Sequence, residues 1–293
     1  MKTSKGKPIL DRNNLVRTLK VSTIACVIIA IAAIFYFAER YVRSIKPLET
    51  PPIVLVDVPS WVGNTLRARV LTTAAKNLSL DDKVARAVAE NLASIAWLDN
   101  VDVRHAHDGI HIAARWRKPL ALIKTGPGPR GQTSFYIDAD RVVLDFVETL
   151  NLPIIVLKGI PMSLSGMPRP GQVFEQDDLT AALELLAILD KMDKAICPGK
   201  PLRNDIDSID VSNFNGRKNA SDPHIVLYAK DNTQIIWGAE IGTWARHLEA
   251  KDEDKLAKLY TYYKERGTLL SGAKYINLRD PQDKIPQPID KYQ

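Results

Sequence analysis

Cysteine is nearly absent. Cys26 and Cys197 are the only two in 293 residues, too few for the disulfide frameworks that hold small exported domains together. No Cys/His spacing of a zinc module occurs either. Histidine is scarce, and three of the five crowd together at His105, His107 and His111. If Asp108-Gly109 is a two-residue hairpin turn, His107 pairs with Ile110 and Ala106 with His111, so His111 faces away from His105 and His107 and the three cannot share an ion. No G-x-S-x-G elbow is present, and the glycines of Gly126–Gly131 (GPGPRG) lack the spacing and the Lys-Ser/Thr of a phosphate cradle. Two fragments of the penicillin-binding type, Ser271-Gly-Ala-Lys274 and Lys124-Thr125-Gly126, occur in reversed order and without an S-D-N element. Ser271 leads into a strand, where nothing activates its hydroxyl. The paired acids Asp81-Asp82, Asp177-Asp178 and Glu253-Asp254 sit at predicted helix starts, where they complement the dipole. Trp61, Trp97, Trp116, Trp237 and Trp244 are dispersed and read as core. The expectation is a non-enzymatic chain with no catalytic, cofactor or metal site.

What is present is an ordinary folding composition, 45% hydrophobic and 25% charged, enough for one large or two small domains. The net charge of +6 is confined to one arm. Residues 1–20 carry +5, from Lys2, Lys5, Lys7, Arg12, Arg17 and Lys20 against Asp11, and everything from Glu39 onward only +1. That excludes a basic nucleic-acid surface on the folded part. Residues 21–38 hold no charge and are rich in branched and aromatic side chains: Val21, Ile24, Val27, Ile28, Ile31, Ile34, Phe35 and Phe37. A helix of that length spans ~27 Å, which predicts a transmembrane anchor. Bulky Tyr36 near the candidate junction argues against signal cleavage. The charge asymmetry then puts residues 1–20 in the cytoplasm and 39–293 outside the cytoplasmic membrane as a single-pass protein. Only Cys197 would face an oxidising compartment.

Residues 39–52 read as a proline-stiffened stalk. Beyond it, Ile53–Val58 is a short β-rich run, Ser60 is positioned to cap a helix carrying Val62, Leu66 and Val70, and a second helix opens at Ser79 and Asp82 with Val84, Val88, Leu92 and Ile95 as its buried stripe. Val101–Trp116 alternates around Asp108-Gly109, a hairpin signal. The order over 53–118 is strand, helix, helix, strand, strand, a small domain in which two helices cover one sheet face. Residues 119–285 read as a second, β-dominated domain. Its elements are a hairpin about Asp138 to Arg141, a run at Pro153–Leu157, and a helix carrying Leu179, Ala182, Leu183, Leu186 and Leu189. A strand at Ile206–Val211 and a hairpin turning at Asp231-Asn232 follow. The last helix carries Leu256, Leu259, Tyr260 and Tyr263 and stops at Gly267, and a final strand runs Ala273–Leu278. Residues 286–293 are a tail.

Several local patterns fall in a telling order. Trp97-Leu98 precedes Val101-Asp102-Val103; Arg117-Lys118-Pro119-Leu120-Ala121 joins the two domains; Tyr136-Ile137-Asp138 precedes Val142-Val143-Leu144. Leu152-Pro153 leads to Gly159, and Asn277-Leu278-Arg279 closes the last strand. Together with the predicted arm, anchor and element order, this resembles the FtsQ/DivIB family of bacterial cell-division proteins over nearly the whole chain. Trp116, Arg141 and Asn277 stand where that family commonly has Glu, Gly and Asp, the pattern of a divergent member. The resemblance implies an α+β fold: a single N-terminal transmembrane helix, a POTRA domain (β-α-α-β-β), and a mixed β domain with flanking helices. It also implies a division-site scaffold whose last strand accepts a strand from FtsB-like partners in complexes with FtsL. Here that edge would be Lys274, Tyr275, Ile276, Asn277, Leu278 and Arg279, with Pro281 ending the ladder. The rival expectation is an envelope assembly or secretion accessory protein that docks substrate polypeptides on its POTRA domain.

Overall fold

The computed structural model describes residues 27–41, 52–76, 84–106, 108–124, 134–162, 168–270 and 272–281. The basic arm, Val21, Ile24, Cys26, most of the stalk, the Ser79/Asp82 capping pair with Asp81, the 126–131 loop, His107, Thr125, Ser271 and the tail lie outside them. The chain divides into two units, 1–51 and 52–293.

In the first unit, residues 27–41 form a helix, α1, and here the expectation of a transmembrane anchor is overturned. Among the described residues no helix is long and apolar enough to cross a membrane. Of the run from Val21 to Ala38, residues 21–26 lie outside the described residues, and the described part of the helix reaches past it through Glu39, Arg40 and Tyr41. Val27, Ile28, Ile31, Ile34, Phe35 and Phe37 stand exposed along it. The membrane-anchored part of the fold and the single-pass placement across the cytoplasmic membrane fall with it.

The second unit is α+β with mixed sheets. It opens with β1 (Ile53–Val56), α2 (Asn64–Ala74), α3 (Val84–Leu92), β2 (Leu98–Ala106) and β3 (Gly109–Trp116). The strands form a sheet in the order β1-β3-β2, with β1 parallel and β2 antiparallel to β3. The four-residue spacing of Val62, Leu66 and Val70 and the stripe Val84, Val88 and Leu92 are buried in one cluster with Ile110 and Ile112, the outcome their helical periods require. Two local expectations are corrected. Gly63, not Ser60, occupies the N-cap of α2, because the chain first turns through a Val62 N–H bond to the Pro59 carbonyl (3.1 Å). In the hairpin, Ala106 pairs with Gly109 and His105 with Ile110, so Gly109 lies in the ladder and not in a two-residue turn with Asp108. Gly109 is kept for a different reason: the Pro52 carbonyl lies where a β-carbon would be, and Ile110 N–H donates to it (2.9 Å).

A second sheet of eight strands follows. Its members are β4 (Pro119–Lys124), β5 (Ser134–Asp138), β6 (Val143–Asp145), β7 (Ile155–Lys158), β8 (Ile206–Asp210), β9 (Ile225–Ala229), β10 (Gln234–Gly238) and β11 (Tyr275–Asn277). They are ordered β11-β10-β9-β8-β7-β4-β5-β6. Helices α4 (Asp177–Ile196) and α5 (Asp252–Arg266) bury their leucine and tyrosine stripes in the same cluster as Ile123, Leu157, Ile209 and Trp237. Gly267 ends α5 in the left-handed conformation. The two helices are tied by Tyr260, whose hydroxyl donates to Asp193 Oδ1 (2.8 Å). Burial first, and the neighbouring Asp193 second, push this phenol far above its ordinary pKa.

The two sheets are not independent. Tyr136, Leu144 and Val147 join the cluster of the first sheet, and Trp97 meets Tyr136 edge to face at 5.8 Å. The Arg117 of the inter-domain pattern reaches both sides, pairing with Asp138 (2.9 Å) on β5 and with Asp99 (3.4 Å) on β2. Asp138 also accepts the N–H groups of Asp140 and Val142 through Oδ1. Arg117→Ala strands a carboxylate that is 5% exposed, although the two amides still serve it. The expected loss is about 2 kcal/mol, read as a lower urea midpoint at unchanged slope.

Candidate functional site

The geometry of the sheet edges singles out β11. At one edge, β6 is covered: Val143 N–H donates to the Gln172 carbonyl (2.9 Å), Gly171 N–H to the Val143 carbonyl (2.8 Å) and Phe174 N–H to the Arg141 carbonyl (2.9 Å). At the other edge, β11 pairs only with β10, in parallel, with Tyr275 opposite Gln234 and Asn277 opposite Ile236. Gln234 N–H donates to the Lys274 carbonyl (3.2 Å) and Leu278 N–H to the Ile236 carbonyl (3.0 Å). Backbone groups of alternate residues point to opposite sides of a strand, so those of Lys274, Ile276 and Leu278 face β10. Those of Tyr275 and Asn277 face outward, and among the described residues no strand covers them. Ile276 and Leu278 are buried, at 1% and 0% exposure, while Tyr275, Asn277 and Arg279 lie half-buried on the other face.

The structure narrows the expected edge. The strand spans Tyr275–Asn277, and the outward carbonyl of Arg279 is already taken by Ala250 N–H (2.7 Å). Lys274 is exposed and precedes the strand. The edge is therefore capped one residue pair before Pro281.

Beneath it lies an ion network that the sequence reading did not find. Glu249, 7% exposed, accepts from Lys255 Nζ (2.7 Å), from Ala239 N–H (2.8 Å) and from Arg279 Nε (2.7 Å). Lys255 is fully buried and lies 5.2 Å from the centre of the Trp237 ring. Gly238, at φ +100, lets the carboxylate approach, since any β-carbon there would overlap Glu249. Burial pushes the Glu249 carboxyl up, but Lys255, the Ala239 amide and Arg279 outweigh it, and the group sits below its usual range. The network ties the end of β11 to α5 and to β10. One signal was available: Lys255 stands on the apolar stripe of α5 with Leu259 and Tyr262, and a lysine on a buried stripe calls for a buried acid.

The other sequence candidates do not assemble into a site. His105 and His111 occupy different cross-strand pairs, and His111 Nε2 contacts Asp108 at 3.0 Å. Lys124 and Lys274 lie on the separate strands β4 and the approach to β11. Trp97 and Trp237 are fully buried. Asp177-Asp178 and Glu253-Asp254 do fall in the first turns of α4 and α5, and Asp178 also pairs with Arg217 (3.0 Å). Cys197 is a free, half-buried thiol whose pKa burial raises, the opposite of a reactive cysteine.

No family model and no curated protein matches this chain.

Proposed function

We propose that this chain is a non-enzymatic scaffold of the bacterial cell-division machinery, similar to the FtsQ/DivIB family, which recruits FtsB/FtsL-like partners by strand addition at β11. The observation that carries the reading is the asymmetry of the large sheet among the described residues: one edge is covered by its own chain and the other presents the outward N–H and C=O groups of Tyr275 and Asn277. An extended partner segment adds there by main-chain hydrogen bonds, and the half-buried side chains of Tyr275 and Asn277 read its alternate residues. The order of local patterns in the sequence supports the divisome assignment, and the buried Glu249 network supports a rigid edge, which lowers the ordering cost of capture.

Tyr275→Pro tests the mechanism. Its N–H points away from β10, so proline removes an open-side donor without breaking the existing ladder. The full chain fused to a fluorescent protein at its N-terminus, at native expression, is expected to concentrate at the division site, and the Tyr275→Pro fusion to lose that enrichment while keeping its thermal midpoint. A uniform wild-type signal through the cell cycle overturns the scaffold reading. Undiminished enrichment of the variant overturns strand capture.

A further inference from the structure

We propose that His224, Glu240 and His247 bind one divalent transition-metal ion of the zinc class at the mouth of the β9-β10 hairpin. His224 immediately precedes β9, and its N–H donates to the Gly238 carbonyl (3.1 Å) at the end of β10. Glu240 lies two residues beyond that strand. His247 ends the short 3-10 turn Trp244–His247. Two of the three are held in place: His224 is 4% exposed, and its Nδ1 lies 3.0 and 2.9 Å from the two Glu240 oxygens. The His224 and His247 rings meet edge to face with centres 4.7 Å apart, and one ligand atom from each of the three residues lies within 4.8 Å of the others.

Two imidazoles and a carboxylate are a zinc-type donor set, borderline-soft and hard together, which also suits Co(II) and Ni(II). In a tetrahedral zinc site the ligand atoms are about 3.3 Å apart. The His224–Glu240 pair is already near that spacing, and His247 is the exposed, adjustable member. The carboxylate is oriented by a second contact, since Asn215 N–H donates to Glu240 Oε1 (2.7 Å), the kind of outer hydrogen bond that fixes metal ligands. Three protein ligands leave a fourth position open to water or to a partner's side chain. The ion would pin the segment from Trp244 to Ala250, whose Ala250 amide closes the end of β11. The proposal does not depend on the division-scaffold reading.

The competing account is a buried histidine–glutamate hydrogen bond with His247 stacked on it, needing no metal. Tag-free full chain, stripped with chelator, is titrated with Zn(II) by calorimetry and with Co(II) by visible absorption. One equivalent is expected, with the d–d bands of tetrahedral Co(II) and a raised thermal midpoint. His247→Ala, an exposed position that spares the fold, is expected to weaken binding at least tenfold. His105→Ala serves as a control and leaves affinity unchanged. Absence of a one-equivalent transition overturns the proposal, and so does equal affinity in wild type and His247→Ala.

Discussion

A Glu249→Ala variant is expected to lose about 3–5 kcal/mol of folding free energy, because it leaves a fully buried ammonium without its hydrogen-bonded carboxylate. Lys255 would keep the Trp237 face, 5.2 Å away, and the longer-range attraction of Asp252, and Arg279 Nε and the Ala239 amide would lose their acceptor as well. Lys255→Met should cost less, since Glu249 then retains Arg279, and the double replacement Glu249→Leu with Lys255→Met should cost less than the sum of the single changes. Urea unfolding of the three variants gives the coupling directly. A strictly additive result would show that the two side chains act separately. The same carboxyl gives a pH signature. Its folded pKa is depressed, so the unfolded chain takes up the proton first as pH falls. The stability it contributes is present above the ordinary carboxylate value of about 4.3 and is lost as pH drops through the lower folded value. As pH falls below the ordinary carboxylate value of about 4.3 the wild type should therefore lose more stability than Glu249→Gln.

How much of this was readable in the residues depends on whether the signal was local. The stripes of α2 and α3, the stop at Gly267 and the turn at Asn232, which adopts φ 67, are decided within a few residues, and their patterns led to the right places. Gly109 misled because its purpose is tertiary: it makes room for a carbonyl more than 50 residues earlier, not for a turn. Nothing in the sequence of segment 171–174 announces that it covers β6. The place of β11 at the end of the strand order among the described residues agrees with its sequence, since a short strand followed by proline is poorly suited to the middle of a sheet. Its true length was not legible, because Ala250 sits on the far side of a helix in sequence. The hydrophobic run at 21–38 shows the reverse error. Composition there counted apolar residues correctly, but among the described residues no helix is both long and apolar enough to cross a membrane, and both properties are needed to span a bilayer.

The junction between the two sheets should be as sensitive as the ion network. Trp97→Ala is expected to cost about 3–5 kcal/mol, the usual range for deleting a buried tryptophan. Trp97 is 0% exposed, sits 6.3 Å from Trp61 and meets Tyr136 at 5.8 Å, so its removal opens a cavity that belongs to both sheets. Its indole Nε1 meets no acceptor among the described residues, which trims the loss, because the variant no longer buries an unpaired donor. The Trp97 carbonyl would still accept Arg117 N–H (2.9 Å), so the change isolates packing from the polar clamp. Trp97→Phe should retain the contact with Tyr136 and lose only about 1–2 kcal/mol. Hydrogen exchange distinguishes a shared core from two separate ones. If the core is shared, protection should fall in β2 and β3 and equally in β5 and β6. A loss confined to β2 and β3 would mean that the β5-β6 face merely rests against the first sheet, and Arg117 would then be the principal tie between them.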